Sequence, residues 1–420
     1  MKTQKVLICS DSFKRISGLS YVALNIAKYF FFKGYDVHYC VISGEDSKVD
    51  DLINKGHFFH ECFLESQIFN CQNKKESSYR DFNELLKKLK PNIVFSIHDL
   101  WQFEHIAFSE YRDTFTWIAY CPIESDFYSE YLVNPSYYNK NIRKSLSEIC
   151  KGIDYAIPYN IVGKAQLSKL KANTTDPLPN GLNDYYFDDS EIDRYKIFKG
   201  MLKDDDFLFM TVGHNFNRKG LDYVVDAFYQ FLQHIEDDKK KKYKLYIHGY
   251  LDTVDVGTDI KSMIHTLKLS NNILMSQPQQ ISKRDLYKRY KCANCYIGLP
   301  LAEGFGYGFM EAMINGIPII YHKVGGISEY IKNSLSISSV ATMRPNNYYC
   351  DWKIPDVEEA SSKMLVAVDF IDREVIKKCN YEEGKKYTWD AIYHRLDSLL
   401  DCDSMGRDDI FHNLSIKKVV

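Results

Sequence analysis

The sequence lacks a long hydrophobic run, an excess of one charge and any compositional extreme. Its 420 residues are 45% hydrophobic and 26% charged, values typical of globular proteins, which excludes disordered, collagen-like and coiled-coil chains. The most apolar stretch, residues 16–32, contains Ser17, Asn25 and Lys28 and is short for a bilayer-spanning helix, which needs ~20 apolar residues. We therefore expect no transmembrane segment.

The charges of the chain nearly cancel. Lys and Arg number 54 against 56 Asp and Glu, which gives a formal net charge of −2 at pH 7. No global electrostatic field therefore attracts nucleic acid or an anionic membrane. Such a partner would need a local basic patch, for which the candidates are Lys14, Arg15, Lys33, Arg284, Lys288, Arg289 and Lys291.

The sequence also lacks the paired cysteines of a disulfide framework. Its 11 cysteines are an odd number and are scattered from Cys9 to Cys402, which is typical of a reducing compartment. The one close pair, Cys292 and Cys295, has no second pair at zinc-finger spacing, so we expect two buried residues and no metal site. The short apolar run at residues 6–9 does not resemble a signal peptide. These features predict a cytoplasmic protein, with peripheral binding to a membrane left open.

Short apolar runs alternate along the chain with longer segments of helical period. This alternation predicts βα units and parallel sheets, that is, an α/β protein with Rossmann-like, doubly wound domains. The expected strands are residues 6–9, 38–42, 93–97, 117–120, 155–157, 207–212, 245–248, 295–298 and 317–321. A chain of 420 residues suits two such domains, and two domains imply a cleft between them.

A shift in composition marks the expected boundary between the domains. Residues 172–190 are rich in turn-forming residues and predict a linker. Beyond them the pattern of a strand, a loop and a helix led by glycine starts again. We predict an N-terminal domain over residues 1–185, a C-terminal domain over residues 186–380, and a helical segment over residues 381–420 that crosses back to the first domain.

The densest cluster of candidate functional residues follows the expected strand at residues 295–298. In the loop after it, three glycines within five residues, including Gly304 and Gly306, let the backbone approach a ligand closely. A helix that starts near Gly306 presents unpaired N–H groups, which suit a phosphate. Glu303 precedes the glycines and Glu311 lies about two turns into the helix, and such paired carboxylates suit the hydroxyl groups of a sugar and a ribose.

A second cluster lies at the end of the expected strand at residues 207–212. Arg218 and Lys219 stand between that strand and the next helix. Arg can bind a diphosphate through two parallel hydrogen bonds, and Lys can act as a point charge. Basic residues at such junctions are often exposed without having a function. The functional interpretation of this cluster therefore depends on the first cluster.

Together these segments resemble the retaining glycosyltransferases of family 4. Glu303 and Glu311, with the Gly-Phe-Gly between them and residues 325–329 beyond, resemble the E-x7-E signature of that family. The resemblance extends to the first βα unit at residues 2–43, the Pro-Asn-Gly linker at residues 179–187 and the crossover helix at residues 388–390. It implies the GT-B fold, in which two Rossmann-like domains face each other across a cleft.

The resemblance also implies roles for particular residues. The N-terminal domain would bind an acceptor, and the C-terminal domain a nucleotide-diphosphate sugar, most often UDP- or GDP-linked, with no metal ion or other cofactor. The implied catalytic residues are Glu303, His98, Arg218 and Lys219. The implied donor-binding residues are Gly18, Gly213, His214, Arg218, Lys219, Gly304, Phe305, Gly306 and Glu311.

The sequence departs from the family pattern at three points. His214 stands where the family usually has Arg, and Gly18 is all that remains of a Gly-Gly loop. Tyr307 and Gly308 replace a common Leu-Pro. These departures indicate a remote branch, and the richness in Tyr (32) and Phe (25) favours a member encoded by a phage or another virus.

The implied reaction is the transfer of a glycosyl group to an acceptor hydroxyl with retention of anomeric configuration. The acceptor is a glycan, a lipid, a protein or modified DNA. A DNA-modifying enzyme that acts on a hydroxymethylated base is an alternative, and it would need the basic patch named above. A non-catalytic sugar-nucleotide-binding protein and a sugar-nucleotide epimerase on the same fold also stay open.

Overall fold

The computed structural model of the protein describes ten segments of the chain. They are residues 3–12, 18–43, 68–70, 76–127, 144–183, 192–252, 257–332, 334–345, 350–369 and 373–400. The predicted domain boundary between residues 185 and 186 lies outside these segments, as do Lys14, Arg15 and residues 401–420.

Six parallel strands form the first sheet. They are β1 (Lys5–Asp11), β2 (Asp36–Ser43), β3 (Ile68–Asn70), β4 (Ile93–Ile97), β5 (Thr116–Cys121) and β6 (Tyr155–Pro158). Their order across the sheet is β3-β2-β1-β4-β5-β6. The helices of this half are α1 (Gly18–Phe32), α2 (Glu76–Leu89), α3 (Glu104–Ala107), α4 (Leu146–Lys151) and α5 (Ile161–Lys169).

The second sheet repeats this arrangement. Its parallel strands are β7 (Phe207–Val212), β8 (Tyr243–His248), β9 (Ile273–Ser276), β10 (Cys295–Gly298), β11 (Ile319–His322) and β12 (Leu335–Ile337), in the order β9-β8-β7-β10-β11-β12. The helices that accompany it are α6 (Arg194–Ile197), α7 (Leu221–Gln233), α8 (Ile260–Thr266), α9 (Lys283–Cys292), α10 (Tyr307–Ile314), α11 (Ile327–Tyr330), α12 (Val357–Asp369) and α13 (Arg373–Gly384). The last helix is α14 (Trp389–Leu400).

The predicted α/β class with two Rossmann-like sheets is confirmed. All nine expected strands are present, and their ends differ from the expected ones by at most two residues. Every residue of β4 and β5 is buried, as expected for central parallel strands that are covered on both faces by helices. Cys292 and Cys295 are buried free thiols at the junction of α9 and β10.

The last two helices pack against different halves of the molecule. Helix α13 runs without a break through the predicted domain limit at residue 380, and the Asn380 side chain donates a hydrogen bond to the carbonyl of Ile317. Helix α14 lies on α1, where the Tyr393 hydroxyl donates to the carbonyl of Asn25 (3.0 Å). The indole of Trp389 also donates to a hydroxyl on α1. The limits of the predicted domains stay predictions.

A two-stranded antiparallel hairpin links loops from both halves. It consists of β13 (Ser339–Met343) and β14 (Trp352–Pro355). The amide of Asp351 donates to the carbonyl of Asp126, which follows β5 (2.9 Å), and the amide of Lys353 donates to the carbonyl of Leu301, which follows β10 (2.8 Å). The first of these backbone hydrogen bonds crosses between the halves, and the second attaches the hairpin to the loop after β10.

Candidate functional site

The candidate site lies where loops of the first sheet meet loops of the second. The Asn160 side chain, which follows β6, donates to the carbonyl of Gly304 (2.8 Å). The amide of Ile161 donates to the carboxylate of Glu329 at 2.8 Å. Because both sheets are parallel, these loops follow the carboxyl ends of their strands, where ligands of such folds bind.

Two glycines make this close approach possible. Gly325 has a φ of +51°, and a β-carbon on it would collide with the carbonyl groups of Glu303 and Glu124. A β-carbon on Gly326 would collide with the Asn160 side chain and with the carbonyl of Gly304. Any larger residue would push the two halves apart at this point.

Glu303 lies at the centre of the site with a buried carboxylate. The residue is 7% exposed, and its carboxylate lies 2.5 Å from the ammonium of Lys219 and 3.5 Å from the guanidinium of Arg218. Burial opposes ionisation, but Lys219 and Arg218 hold the pKa of Glu303 below its ordinary value. Glu303 is therefore an anion at neutral pH, and the two cations keep it in place.

Arg218 connects both halves of the molecule. It lies in a single 3-10 turn (Asn217–Lys219) after β7, and Gly220 ends that turn with a φ of +62°, where a β-carbon would collide with the carbonyl of Leu299. Its guanidinium donates to the carbonyl of Ala302 (2.7 Å) and pairs with Glu124 of the first half at 2.8 Å. The side chain is 16% exposed, so water screens these contacts little.

Helix α10 begins directly beside Glu303. Gly306 is its N-cap residue and has a φ of +70°, which favours glycine. The loop from Glu303 to Gly306 is buried, and Gly304 accepts the hydrogen bond from the first half described above. Since the first N–H groups of a helix have no intrahelical partner, this end of α10 favours an anion.

Glu311 lies on α10 away from the pair formed by Lys219 and Glu303. It is partly exposed and within electrostatic reach of Lys283 and of the buried Tyr290. The ammonium of Lys283 also lies over the ring of Tyr21 in α1, 4.3 Å from its centre. The two glutamates therefore occupy separate positions, Glu303 in the loop before α10 near Lys219 and Glu311 on the helix within electrostatic reach of Lys283.

Gly213 and His214 follow β7 on the same side as Arg218. The amide of Gly213 donates to the carbonyl of His248, and the imidazole of His214 accepts from the amide of Tyr250 (3.3 Å). Burial, with a smaller effect of Lys219, lowers the pKa of His214 to about 4. His214 is therefore neutral at pH 7 and adds no fixed charge to the site.

His98 lies among carboxylates at the carboxyl-terminal ends of the central strands of the first sheet, which we call the acidic edge. Its Nε2 is 2.9 Å from Asp11 at the end of β1, and its Nδ1 accepts from the amide of Asp99 (2.7 Å). Because Nδ1 accepts, Nε2 carries the proton and donates to Asp11. Burial opposes protonation of the ring, but the hydrogen bond to Asp11 raises the pKa of His98 overall.

Asp99 and Glu124 complete this acidic edge. Burial raises the pKa of Asp99 to about 7, His98 and Arg218 oppose the rise, and Glu124 and Asp11 add to it. Asp99 is thus partly protonated near neutral pH.

Gly18, the first residue of α1, faces the start of α10. A β-carbon on Gly18 would lie 3.7 Å from the ring of Tyr307. The Tyr307 ring also packs edge-on against Tyr21, with ring centres 5.6 Å apart. The space next to Gly18 therefore contains an aromatic side chain, and the predicted contact between Gly18 and a phosphate stays a prediction.

The structure thus brings Glu303, Arg218 and Lys219 together and places His98 at the opposing edge. The sequence prediction missed Asp11, Asp99 and Glu124, which belong to the same cluster. Their signal was present, because each lies at or just after the carboxyl end of a predicted strand.

The residues named for a basic patch are engaged elsewhere where the structure describes them. Lys33 pairs with Asp397 at 2.6 Å, and Lys288 pairs with Asp285 at 3.5 Å. Within the described segments, no helix has both the length and the apolar character to cross a membrane. The same segments contain no group of three or more His, Cys, Asp or Glu side chains placed to hold a metal ion.

Comparison with known proteins finds a similarity to a known sequence family within the second half of the chain. Residues 193–340 match the family model described as glycosyl transferases group 1. An uncharacterized glycosyltransferase of Methanocaldococcus jannaschii is 27% identical over 217 residues, which are 51% of this chain and 50% of that protein. The chain therefore spans about half the length of this curated relative.

Solved structures resemble the whole chain at low sequence identity. HepE of Anabaena, determined in complex with UDP-glucose, has a TM-score of 0.69 at 13% identity, over 94% of this chain and 99% of HepE. Sucrose-phosphate synthase of Thermosynechococcus elongatus has a TM-score of 0.66 at 16% identity, over 94% of this chain and 98% of that protein. The fold is that of the GT-B glycosyltransferases, and its C-terminal half contains the segment that matches glycosyl transferases group 1.

Proposed function

We propose that the protein is a retaining glycosyltransferase that takes its sugar from a nucleotide-diphosphate donor. One observation carries this proposal: the buried carboxylate of Glu303 is held by Lys219 and Arg218 beside the N-terminus of α10. In one place this arrangement offers an acceptor for sugar hydroxyls, two cations and a helix end suited to a diphosphate.

The donor is expected to bind along the C-terminal side of the cleft. Arg218 and Lys219, now paired with carboxylates, would turn to the diphosphate, whose charge they match better than a single carboxylate does. The helix dipole of α10 adds to this attraction. Glu311 would bind the ribose of a UDP- or GDP-linked sugar. Because these groups supply the positive charge, no metal ion is required at the leaving group.

The proposed chemistry exchanges one bond at the anomeric carbon for another on the same face. The bond from the anomeric carbon to the phosphate oxygen breaks, and a bond to the acceptor oxygen forms. The acceptor proton passes to the departing phosphate oxygen, so no separate protein base is needed. Glu303 would orient the sugar while positive charge develops at its ring, and His98 would border the reacting carbon from the first half.

Donor binding is the first test. We would measure thermal shifts with UDP-, GDP-, ADP- and CMP-sugars, where a ligand at ~100 times its dissociation constant should stabilise the protein by ~2.7 kcal/mol. Lys219→Met should abolish the shift, whereas Lys242→Met, which changes an exposed lysine far from the cleft, should leave it intact. If no sugar nucleotide stabilises the wild-type protein, the proposal is wrong.

Retention and independence of metal need a second test. With water as the acceptor, slow hydrolysis of UDP-glucose should first release the α-anomer of glucose, which proton NMR distinguishes before mutarotation. The rate should not change in EDTA. Initial release of the β-anomer would contradict retention, and a loss of turnover that Mn²⁺ or Mg²⁺ restores would contradict the role given to Arg218 and Lys219.

A further inference from the structure

Two neighbouring tyrosines at the cleft differ in how their hydroxyl groups are satisfied. Tyr120 and Tyr159 pack together, with ring centres 4.3 Å apart. The Tyr120 hydroxyl donates to the carbonyl of Leu178 (2.7 Å) and lies 2.9 Å from the side-chain oxygen of Asn180. Tyr159, which follows β6 and is 5% exposed, has a buried hydroxyl with no partner at hydrogen-bonding geometry among the described residues.

Tyr307 presents a second hydroxyl of this kind from the other half of the molecule. It is the first residue of α10, and its ring packs between Gly18 and Tyr21, as described above. Its hydroxyl oxygen is buried and has no hydrogen-bond partner among the described residues. Since buried polar atoms are nearly always paired, an unpaired hydroxyl needs an explanation.

The two tyrosines belong to segments that touch each other. Asn160, next to Tyr159, donates its hydrogen bond to Gly304, which lies three residues before Tyr307. Burial raises the pKa of Tyr159 and of Tyr307 well above the ordinary value of a tyrosine. The nearby side chain of Asn180 opposes the rise at Tyr159, and Tyr159 is among the groups that add to the rise at Tyr307. Both side chains therefore stay neutral hydroxyls that can donate as well as accept.

The charges around these hydroxyls indicate what they can bind. Asp99 and Asp11 are within electrostatic reach of Tyr159, and Glu311 is within reach of Tyr307. These carboxylates disfavour a phosphate at the two hydroxyls themselves, whereas Arg218, Lys219 and the backbone N–H groups at the start of α10 can meet its charge. The carboxylates suit a neutral group rich in hydroxyls, because a sugar hydroxyl can donate to a carboxylate and accept from a tyrosine.

We infer that Tyr159 and Tyr307 bind hydroxyl groups of a neutral sugar, one from each side of the cleft. This inference rests on the proposed function and adds two residues to it that the E-x7-E pattern does not contain. The sugar belongs either to the donor or to the acceptor, and both offer the same hydroxyl chemistry. The tyrosines are binding residues, so they act on affinity for the sugar and not on affinity for the nucleotide.

The test compares three variants that each remove one hydroxyl and keep the ring. Tyr159→Phe and Tyr307→Phe should retain the stability of the wild type, because neither hydroxyl has a hydrogen-bond partner among the described residues. Tyr120→Phe is the matched control and should lower the melting temperature, because its hydroxyl donates to Leu178. Calorimetry would then give the affinities for UDP, for UDP-glucose and for glucose added to the UDP-saturated protein.

The affinities distinguish the two sources of the sugar. If the donor sugar binds here, Tyr159→Phe and Tyr307→Phe should weaken the affinity for UDP-glucose about 3- to 10-fold, which corresponds to the loss of one hydrogen bond. The affinity for UDP should stay unchanged. If the acceptor sugar binds here, the two variants should weaken the affinity for glucose by the same factor and leave the affinities for UDP and UDP-glucose unchanged. Tyr120→Phe should change none of the three affinities.

Two results would overturn the inference. Equal weakening of UDP and UDP-glucose would assign the hydroxyls to the nucleotide, and wild-type affinities for all three ligands would assign them to the structure alone. A wild-type protein that binds neither UDP nor UDP-glucose would instead contradict the proposed function, and the sugar site with it.

Discussion

The two halves of the protein share one strand order but present different chemistry to the cleft. The first half presents Asp11, Asp99 and Glu124 around His98, whereas the second presents Arg218 and Lys219 beside the start of a helix. A common scaffold therefore fixes where the site lies, at the carboxyl ends of the strands. The residues in the loops decide what each side can bind.

Buried histidines show how carboxylate partners change the chemistry of a side chain. Burial lowers the pKa of His214, His248 and His322 in the second half to about 4, and that of His105 in the first half likewise. His98 in the first half is also buried, yet its pKa is raised, because Asp11 accepts its proton in a hydrogen bond and Asp99 adds negative charge. Carboxylate partners can therefore reverse the effect of burial.

The largest effect should come from replacing Glu303 or Glu311 in the second half. Glu303→Gln should lower kcat by ~10²–10³-fold, equivalent to ~2.7–4 kcal/mol, because the sugar must be oriented while charge develops. Glu311→Gln should mainly raise the KM for the donor, since a ribose contact is shared by ground and transition states. Steady-state kinetics with varied donor would separate the two.

Glu236→Gln, which changes an exposed carboxylate paired with Lys239, serves as the control for these kinetics. The assignment of sugar and ribose fails if Glu303→Gln keeps full kcat while Glu311→Gln loses it. Urea unfolding of each variant should come first, because Glu303 also neutralises Lys219 and Arg218.

The next largest effect should come from the ion pair that joins the halves. Glu124→Gln should lower the free energy of unfolding by ~1–3 kcal/mol, because Arg218 then loses a partner in a site that water hardly reaches. Asp176→Asn is the matched control, since it breaks the exposed pair with Lys164 and should cost ~0–1 kcal/mol. If both variants lose the same free energy of unfolding in urea titrations, the ion pair between the halves contributes no more to stability than a surface pair.

The acidic edge of the first half predicts a dependence of stability on pH. The folded-state pKa of Asp99 is about 7 against an ordinary value of 3.8, so between these values the folded protein holds a proton that the unfolded chain has lost. The free energy of unfolding should therefore fall as pH rises from about 4 to about 7. His98 acts in the same direction, because its raised pKa adds stability below 6.5 that is lost as pH rises through the folded value.

Asp99→Asn should reduce this dependence, which urea unfolding at pH 5 and pH 8 would measure. The variant should be more stable than the wild type at pH 8 and closer to it at pH 5. The assignment would be contradicted if the wild type were more stable at pH 8 than at pH 5 and the variant showed the same change in the free energy of unfolding.

The smallest effect should come from the contact between α14 and α1. Tyr393→Phe removes a hydroxyl that donates to the carbonyl of Asn25, and it should cost ~0.5–1.5 kcal/mol in urea unfolding. Tyr195→Phe, at a tyrosine that is 60% exposed, should cost nothing measurable. A cost at Tyr393 no larger than at Tyr195 would mean that α14 adds little to the first half.

Much of the fold could be predicted from the sequence, and three of the five strands that were not expected share a cause. β3, β9 and β12 are outer strands of three or four residues, and none of them was expected. A short strand at the edge of a sheet is buried only in part, so its apolar pattern is weak; Met275 in β9 is 42% exposed. The central strands carry continuous apolar runs and were found.

The site could be predicted in part, for a related reason. Glu303 and Lys219 each lie in a segment with a local pattern of glycine or basic residues, and the structure joins them across 84 residues of chain. Asp11 ends β1 and Glu124 lies in the loop after β5. Both are near the carboxyl ends of predicted strands, but neither belongs to a local motif that would single it out in the sequence. Tyr307 is visible in the sequence as a departure from the family, but the sequence does not show that its hydroxyl finds no partner among the residues that the structure describes.

The hairpin β13–β14 has a consequence for how the residues around this cleft can change in evolution. Its hydrogen bonds to Asp126 and Leu301 use main-chain groups, which every residue other than proline supplies in the same way. Side chains of the hairpin and of the loops it joins can therefore be replaced while the two halves stay connected. A protein built in this way can acquire new specificity by point substitution without first losing its architecture.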